Sequence, residues 1–163
     1  MDLLLKNLID NWNEVNQTTL DLLNSLPEQY YHSKPFQPRF KSFAWEFSCV
    51  FSTRVGYIKG LSEKVLDEKC FQEDDKKLEK LSKKEIIQKI KETNTKIIEI
   101  IKDEKIKTID YWNKKSTKEI TISWLMQHEQ LHYGKLILYF SKLNLKIPKL
   151  LQEMWGKESF IRK

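Results

Sequence analysis

Two histidines four residues apart, His128 and His132, stand in the string TISWLMQHEQLHYGKLILYF of a 163-residue chain. On a helix this spacing puts both imidazoles on one face with Cβ atoms about 6 Å apart. Two such rings can grip one metal ion between them. Trp124, His128, His132, Leu136 and Tyr139 recur at intervals of three or four, so the pair shares its face with an inward apolar stripe. The same letters spell H-E-x-x-H, in which a zinc protease uses the glutamate as a base. No third-ligand pattern follows downstream, and Glu129 lies about 100° round the helix from His128, which turns it towards the outer surface. The competing reading is a pair of core histidines, each hydrogen-bonded to a neighbour.

Four long helical segments are available to position this pair. The first spans about Asp2 to Leu26, with Leu8, Ile9, Trp12, Val15, Leu22 and Leu23 near helical spacing. Pro27, Pro35 and Pro38 make the next stretch a loop, and His32 is an exposed residue within it. Ser42 caps a second helix, Phe43 to about Asp67, apolar on more than one face and therefore central. Arg54 is the only arginine on a core helix and is expected in an ion pair at the rim. Ser82 and Glu85 form an S-x-x-E capping box that opens a third helix to about Lys102. Residues 103–120 read as an irregular or short extended link, with a turn at NKKST. The fourth helix runs from about Thr121 to Leu143. Asn144 suits a left-handed helix end, and Pro148 prevents continuation.

The pattern predicts a single domain over residues 1–163, an all-α four-helix bundle. Composition supports a globular chain: 40% hydrophobic and 12% aromatic residues, with only 4 glycines and 4 prolines. Two cysteines, Cys49 and Cys70, cannot form a disulfide framework. The opening residues lack the layout of a secretory signal, and no apolar run is long enough to span a membrane. A reduced, cytoplasmic protein is the expectation. The net charge of +6 does not point to nucleic acid, because lysine dominates and glutamate is interleaved through DEKCFQEDDKKLEKLSKKEIIQKIKE. This is the pattern of a solvated helix face.

The string W-L-x-x-H-E-x-x-H-x-G-x-L-x-x-Y, followed by a short loop and Pro148, resembles the last helix of the DinB/YfiT-like metalloenzyme family. The likeness covers nearly the whole chain. It implies an up-down-down-up bundle, often a homodimer, holding a divalent ion such as zinc or nickel through three histidines. One of these sits on the second helix and the other two are the H-x-x-x-H pair. Some members are transferases that use a low-molecular-weight thiol. Where the family places its second-helix histidine, this chain reads F-A-W-E-F-S-C-V-F, with Cys49 or Glu46 nearest. Thiolate and carboxylate both ligate zinc, and either with the pair would leave an open position. Otherwise Cys49 is a small buried residue, and Glu46 pairs with Arg54 or a lysine. Spacing alone does not choose between them. Lys135 stands where the family often has glutamine, so it either points outward or marks an altered site. The resemblance implies a metal-dependent transferase or hydrolase acting on a small molecule. The alternative is a metal-free dimeric bundle that binds a ligand or a partner.

Overall fold

In the computed structural model, which describes residues 3–155, each long helix begins or ends where a specific residue closes its backbone. Helix α1 (Leu3–Ser25) buries Ile9, Trp12, Val15, Asn16, Thr19, Leu22 and Leu23 on one side and stops before Pro27. The expected start at Asp2 and the last residues of the expected domain, 156–163, lie outside the described residues. Helix α2 (Phe43–Glu63) opens at Ser42, whose hydroxyl accepts from the Trp45 N–H at 3.1 Å.

Helix α2 ends four residues before the expected Asp67. Lys64 turns left-handed at φ 60°, and strand β1 (Val65–Leu66) follows at once. Leu66 folds back onto the helix at Gly60, where a Cβ would sit 2.7 Å from the leucine side chain. Only glycine leaves room for that return. A short helix α3 (Asp75–Leu78) leads to α4 (Lys83–Lys102), whose Ser82–Glu85 capping box is fully formed. Its buried residues, Ile86, Ile90, Thr93, Ile97, Ile100 and Ile101, form one stripe. Lys84, Lys91, Glu92, Lys96 and Glu99 face solvent, as the charge pattern requires. Each fully buried isoleucine contributes about 1.5–3 kcal/mol.

The link after α4 takes the short extended form of the two expected. Strands β2 (Thr108–Tyr111) and β3 (Lys114–Thr117) form an antiparallel hairpin, with Tyr111 opposite Lys114. Strand β1 pairs parallel to β2, giving the sheet order β1-β2-β3. The turn is Trp112–Asn113 rather than NKKST, and both residues have positive φ, 44° and 64°. That combination matches the twist of a two-residue hairpin loop. The Trp112 ring stacks on Phe71 with centroids 5.8 Å apart. The all-helical expectation is therefore corrected to a mostly helical fold that carries a small sheet.

Helix α5 (Lys118–Lys142) begins three residues before the expected Thr121, capped by the Thr117 hydroxyl. Lys118 explains the early start. Its buried ammonium donates to the carbonyls of Ile101 and Asp103 at 2.7 and 2.8 Å, which ties the start of α5 to the end of α4. Asn144 takes the left-handed conformation at φ 53°, and α6 (Lys149–Trp155) follows Pro148. Helices α1 and α2 each pack against both α4 and α5, around a core that includes Trp12, Phe43, Phe47, Tyr139 and Phe140. No helix among the described residues is long and apolar enough to cross a membrane.

Candidate metal centre

Helices α2 and α5 lie side by side and bring the predicted residues together. From α5, the Nε2 atoms of His128 and His132 approach to 3.2 Å. From α2, Cys49 Sγ stands 3.9 Å from His128 Nε2, and Thr53 Oγ1 stands 3.4 Å from the same nitrogen. The donor atoms of Cys49, His128 and His132 all lie within 4.8 Å of one another. Two nitrogens that share a tetrahedral ion at about 2.05 Å are about 3.3 Å apart. The histidine pair already has that spacing.

Glu46 occupies a different place. Its carboxylate is buried on the far side of His132, where Oε2 meets Nδ1 at 2.6 Å. Lys135 Nζ donates to the same oxygen at 3.2 Å, and the Tyr139 hydroxyl donates to Oε1 at 2.9 Å. Burial pushes the Glu46 carboxyl upward, but the hydrogen bond and charge of His132, then Lys135 and Tyr139, outweigh it and hold the group below its usual range. An ionised carboxylate can only accept, so His132 carries a proton on Nδ1 and turns Nε2 towards His128 and Cys49. Burial, reinforced by the nearby His132, lowers His128 to about 4. His128 is thus neutral at neutral pH, as a metal ligand must be. Its Nδ1 is buried without a hydrogen-bond partner, so only His132 has its second nitrogen braced.

The DinB family profile matches residues 1–149. The chain belongs to the DinB family. A crystal structure of a DinB-like protein from Bacillus cereus ATCC 10987 shares its fold, with a TM-score of 0.68 at 16% identity. The match covers 88% of this chain and 95% of that one. No curated protein matches the sequence.

Within this DinB-family chain, two expectations are overturned. Arg54 is not at the rim, and Glu129 does not face outward. Both side chains are fully buried and joined by a two-point bridge, Nε to Oε1 at 2.7 Å and Nη2 to Oε2 at 2.8 Å. Glu129 also accepts from Thr19 and Tyr133 at 2.7 and 3.2 Å. The 100° offset from His128 turns Glu129 into the bundle interior instead of out of it, because α5 has α1 on its other flank. Bridged to Arg54 and turned into the bundle interior, Glu129 does not stand beside the histidines as a protease base.

Lys135 does not simply point outward. Its side chain is 36% exposed, and its stem passes Trp45, with Nζ 5.8 Å from the ring centroid, on the way to Glu46. His32 stays in its loop, exposed, with its ring edge-on to Tyr31. Neither Cys49 nor Cys70 is in a disulfide. Tyr139 and Thr53 are the site residues that sequence reasoning missed as partners. Tyr139 was visible as the end of the apolar stripe, whereas nothing in the sequence marked Thr53.

A pH dependence follows for the metal-free protein. Unfolded histidine titrates near 6.5, whereas folded His128 does so near 4. Between these values the unfolded chain binds more protons, so stability is full above about pH 6.5 and falls as pH drops towards 4. Glu46, held below its usual range, adds a loss at lower pH as it too is protonated. Urea unfolding midpoints should decline across this window. A flat profile from neutrality to pH 4 would contradict the assignment of His128 as neutral and half-buried.

Proposed function

We propose that this DinB-family protein holds a divalent ion, zinc or nickel, through Cys49, His128 and His132, and acts on a small molecule as a thiol-dependent transferase or a hydrolase. The observation that carries this reading is the convergence of one sulfur and two imidazole nitrogens within 4.8 Å, on facing helices. The donor set fits the ion: two imidazoles and one thiol match a zinc site that keeps an open fourth position. Glu46 serves the site by fixing the tautomer and orientation of His132, the usual task of a carboxylate behind a ligating histidine. An ion bound there would ionise a thiol, or acidify a water, at neutral pH. Lys135 and Trp45 border the site on the His132 side and would contact whatever occupies the open position. The same reading includes up-down-down-up helix order, homodimerisation and a cytoplasmic location.

Elemental analysis of protein purified without a histidine tag tests this reading. About one zinc or nickel per chain is expected. No metal, even after incubation with either ion, would sink it. A second reading, a metal-free dimeric module that binds a ligand or partner, has an observation of its own. A groove of about 550 Å³ lies between α1 and α5, lined by Val15, Tyr133, Gly134, Ile137, Leu138 and Leu151 among others. Leu131 stands at the groove 70% exposed. That groove is on the face of α5 turned away from the histidines, so it does not compete with the metal centre for residues.

A further inference from the structure

We infer that the buried Arg54–Glu129 pair is a positioning device for the metal centre: it fixes the roll of α5 against α2, so that His128 and His132 face Cys49 before any ion arrives. This rests on the metal-centre reading above. The two helices that supply the candidate ligands also supply the pair, at neighbouring positions. Thr53 meets His128 at 3.4 Å, and the next residue on each helix, Arg54 and Glu129, forms the two-point bridge. The guanidinium further donates to Asn16 Oδ1 on α1 at 2.8 Å and to the Ile90 carbonyl on α4 at 3.2 Å. It lies 4.8 Å from the centroid of the Trp12 ring. One side chain on α2 therefore contacts each of the other three long helices.

A bidentate contact between planar groups sets orientation as well as distance. Glu129 lies about 100° from His128 and about 60° from His132 around the α5 axis, so fixing its direction fixes theirs. A roll of about 20° would move an atom about 6 Å from that axis by about 2 Å. Metal–ligand distances tolerate only about 0.2 Å. The apolar packing of α5 sets its roll only broadly, because its buried residues cover an arc of about 160° around the axis, from Thr121 and Tyr139 to Ile137. The directional contact narrows that setting.

The test compares the wild type with the double variant Arg54→Met/Glu129→Leu, which replaces the ion pair by apolar groups of similar length. Such replacements often leave stability unchanged or higher. Three quantities are measured. They are the urea midpoint of the metal-free protein, the zinc dissociation constant by chelator competition, and the low-field proton resonance of His132 Nδ1–H bonded to Glu46 in metal-free protein. The expected result is cooperative unfolding, zinc binding weakened by about tenfold or more, and loss or marked shift of the resonance. A double variant that folds cooperatively, binds zinc like the wild type and keeps the resonance would overturn the inference.

Should the double variant fail to fold, Arg54→Lys takes its place. It keeps the charge but not the fork, and weaker zinc binding with a shifted resonance is expected; wild-type values of both would overturn the inference. A wild type that binds no zinc would refute the metal-centre reading. The resonance would then decide the positioning role separately, because it needs no metal.

Discussion

Cys49→Ala is expected to yield a folded protein that no longer holds stoichiometric metal. Cys49 is small and half-buried, so alanine fits its space and removes little apolar contact, at a cost of about 1 kcal/mol. The loss to the metal is far larger, because two imidazoles on one helix remain without a ligand from the facing one. Glu46→Gln is expected to behave differently. It leaves all three donor atoms in place but exchanges an ionised acceptor for a neutral amide behind His132. Weakening of about 10–100-fold is the usual consequence of such a change. Elemental analysis and chelator competition on both variants give the comparison. Full metal in Cys49→Ala with none in Glu46→Gln would reverse the assignment and make Glu46 the ligand.

Arg54→Ala should cause the largest loss of stability of any single substitution in the bundle. The wild-type guanidinium is fully buried and makes four hydrogen bonds to Glu129, Asn16 and Ile90. Its removal leaves the Glu129 carboxylate in the core facing only the hydroxyls of Thr19 and Tyr133. Breaking one half of a buried pair costs about 3–5 kcal/mol, and the emptied volume beside Trp12 adds to that. A total of this size is a large share of the 5–15 kcal/mol that typical domains possess. Urea unfolding at neutral pH reads the effect directly. A loss below about 1 kcal/mol would mean that the glutamate finds water or another partner.

The helix boundaries were legible wherever a side chain or a backbone preference closes them locally. Ser42, the Ser82–Glu85 box and Asn144 each act within four residues of themselves, and local chemistry is what a sequence displays. The histidine pair was legible for the same reason, because its spacing is a property of one helix. What depended on the packing of separate helices was not. Arg54 and Glu129 are 75 residues apart, and neither carries a mark that it is buried. The positions of Cys49 and Glu46 are likewise set by the rotation of α2 against α5, which places the sulfur before the imidazoles and the carboxylate behind one of them. The place of the hairpin turn escaped notice because it contains a tryptophan where the usual signal is asparagine–glycine or aspartate–glycine.

That tryptophan changes the ordinary ranking of small residues. At most positions alanine is better tolerated than glycine, since glycine gives the unfolded chain more freedom to lose. Trp112 holds φ at 44°, a conformation that burdens every residue with a Cβ. In the native protein the ring recovers that cost through its stacking on Phe71 and its edge contact with Tyr111 at 4.6 Å. Replacement by alanine would forfeit the contacts and keep the backbone penalty. Replacement by glycine would forfeit the same contacts but remove the penalty. Of the two truncations at this turn, glycine should leave the more stable protein, and the difference between them in urea unfolding isolates the energy held in the backbone of the hairpin from that held in its rings.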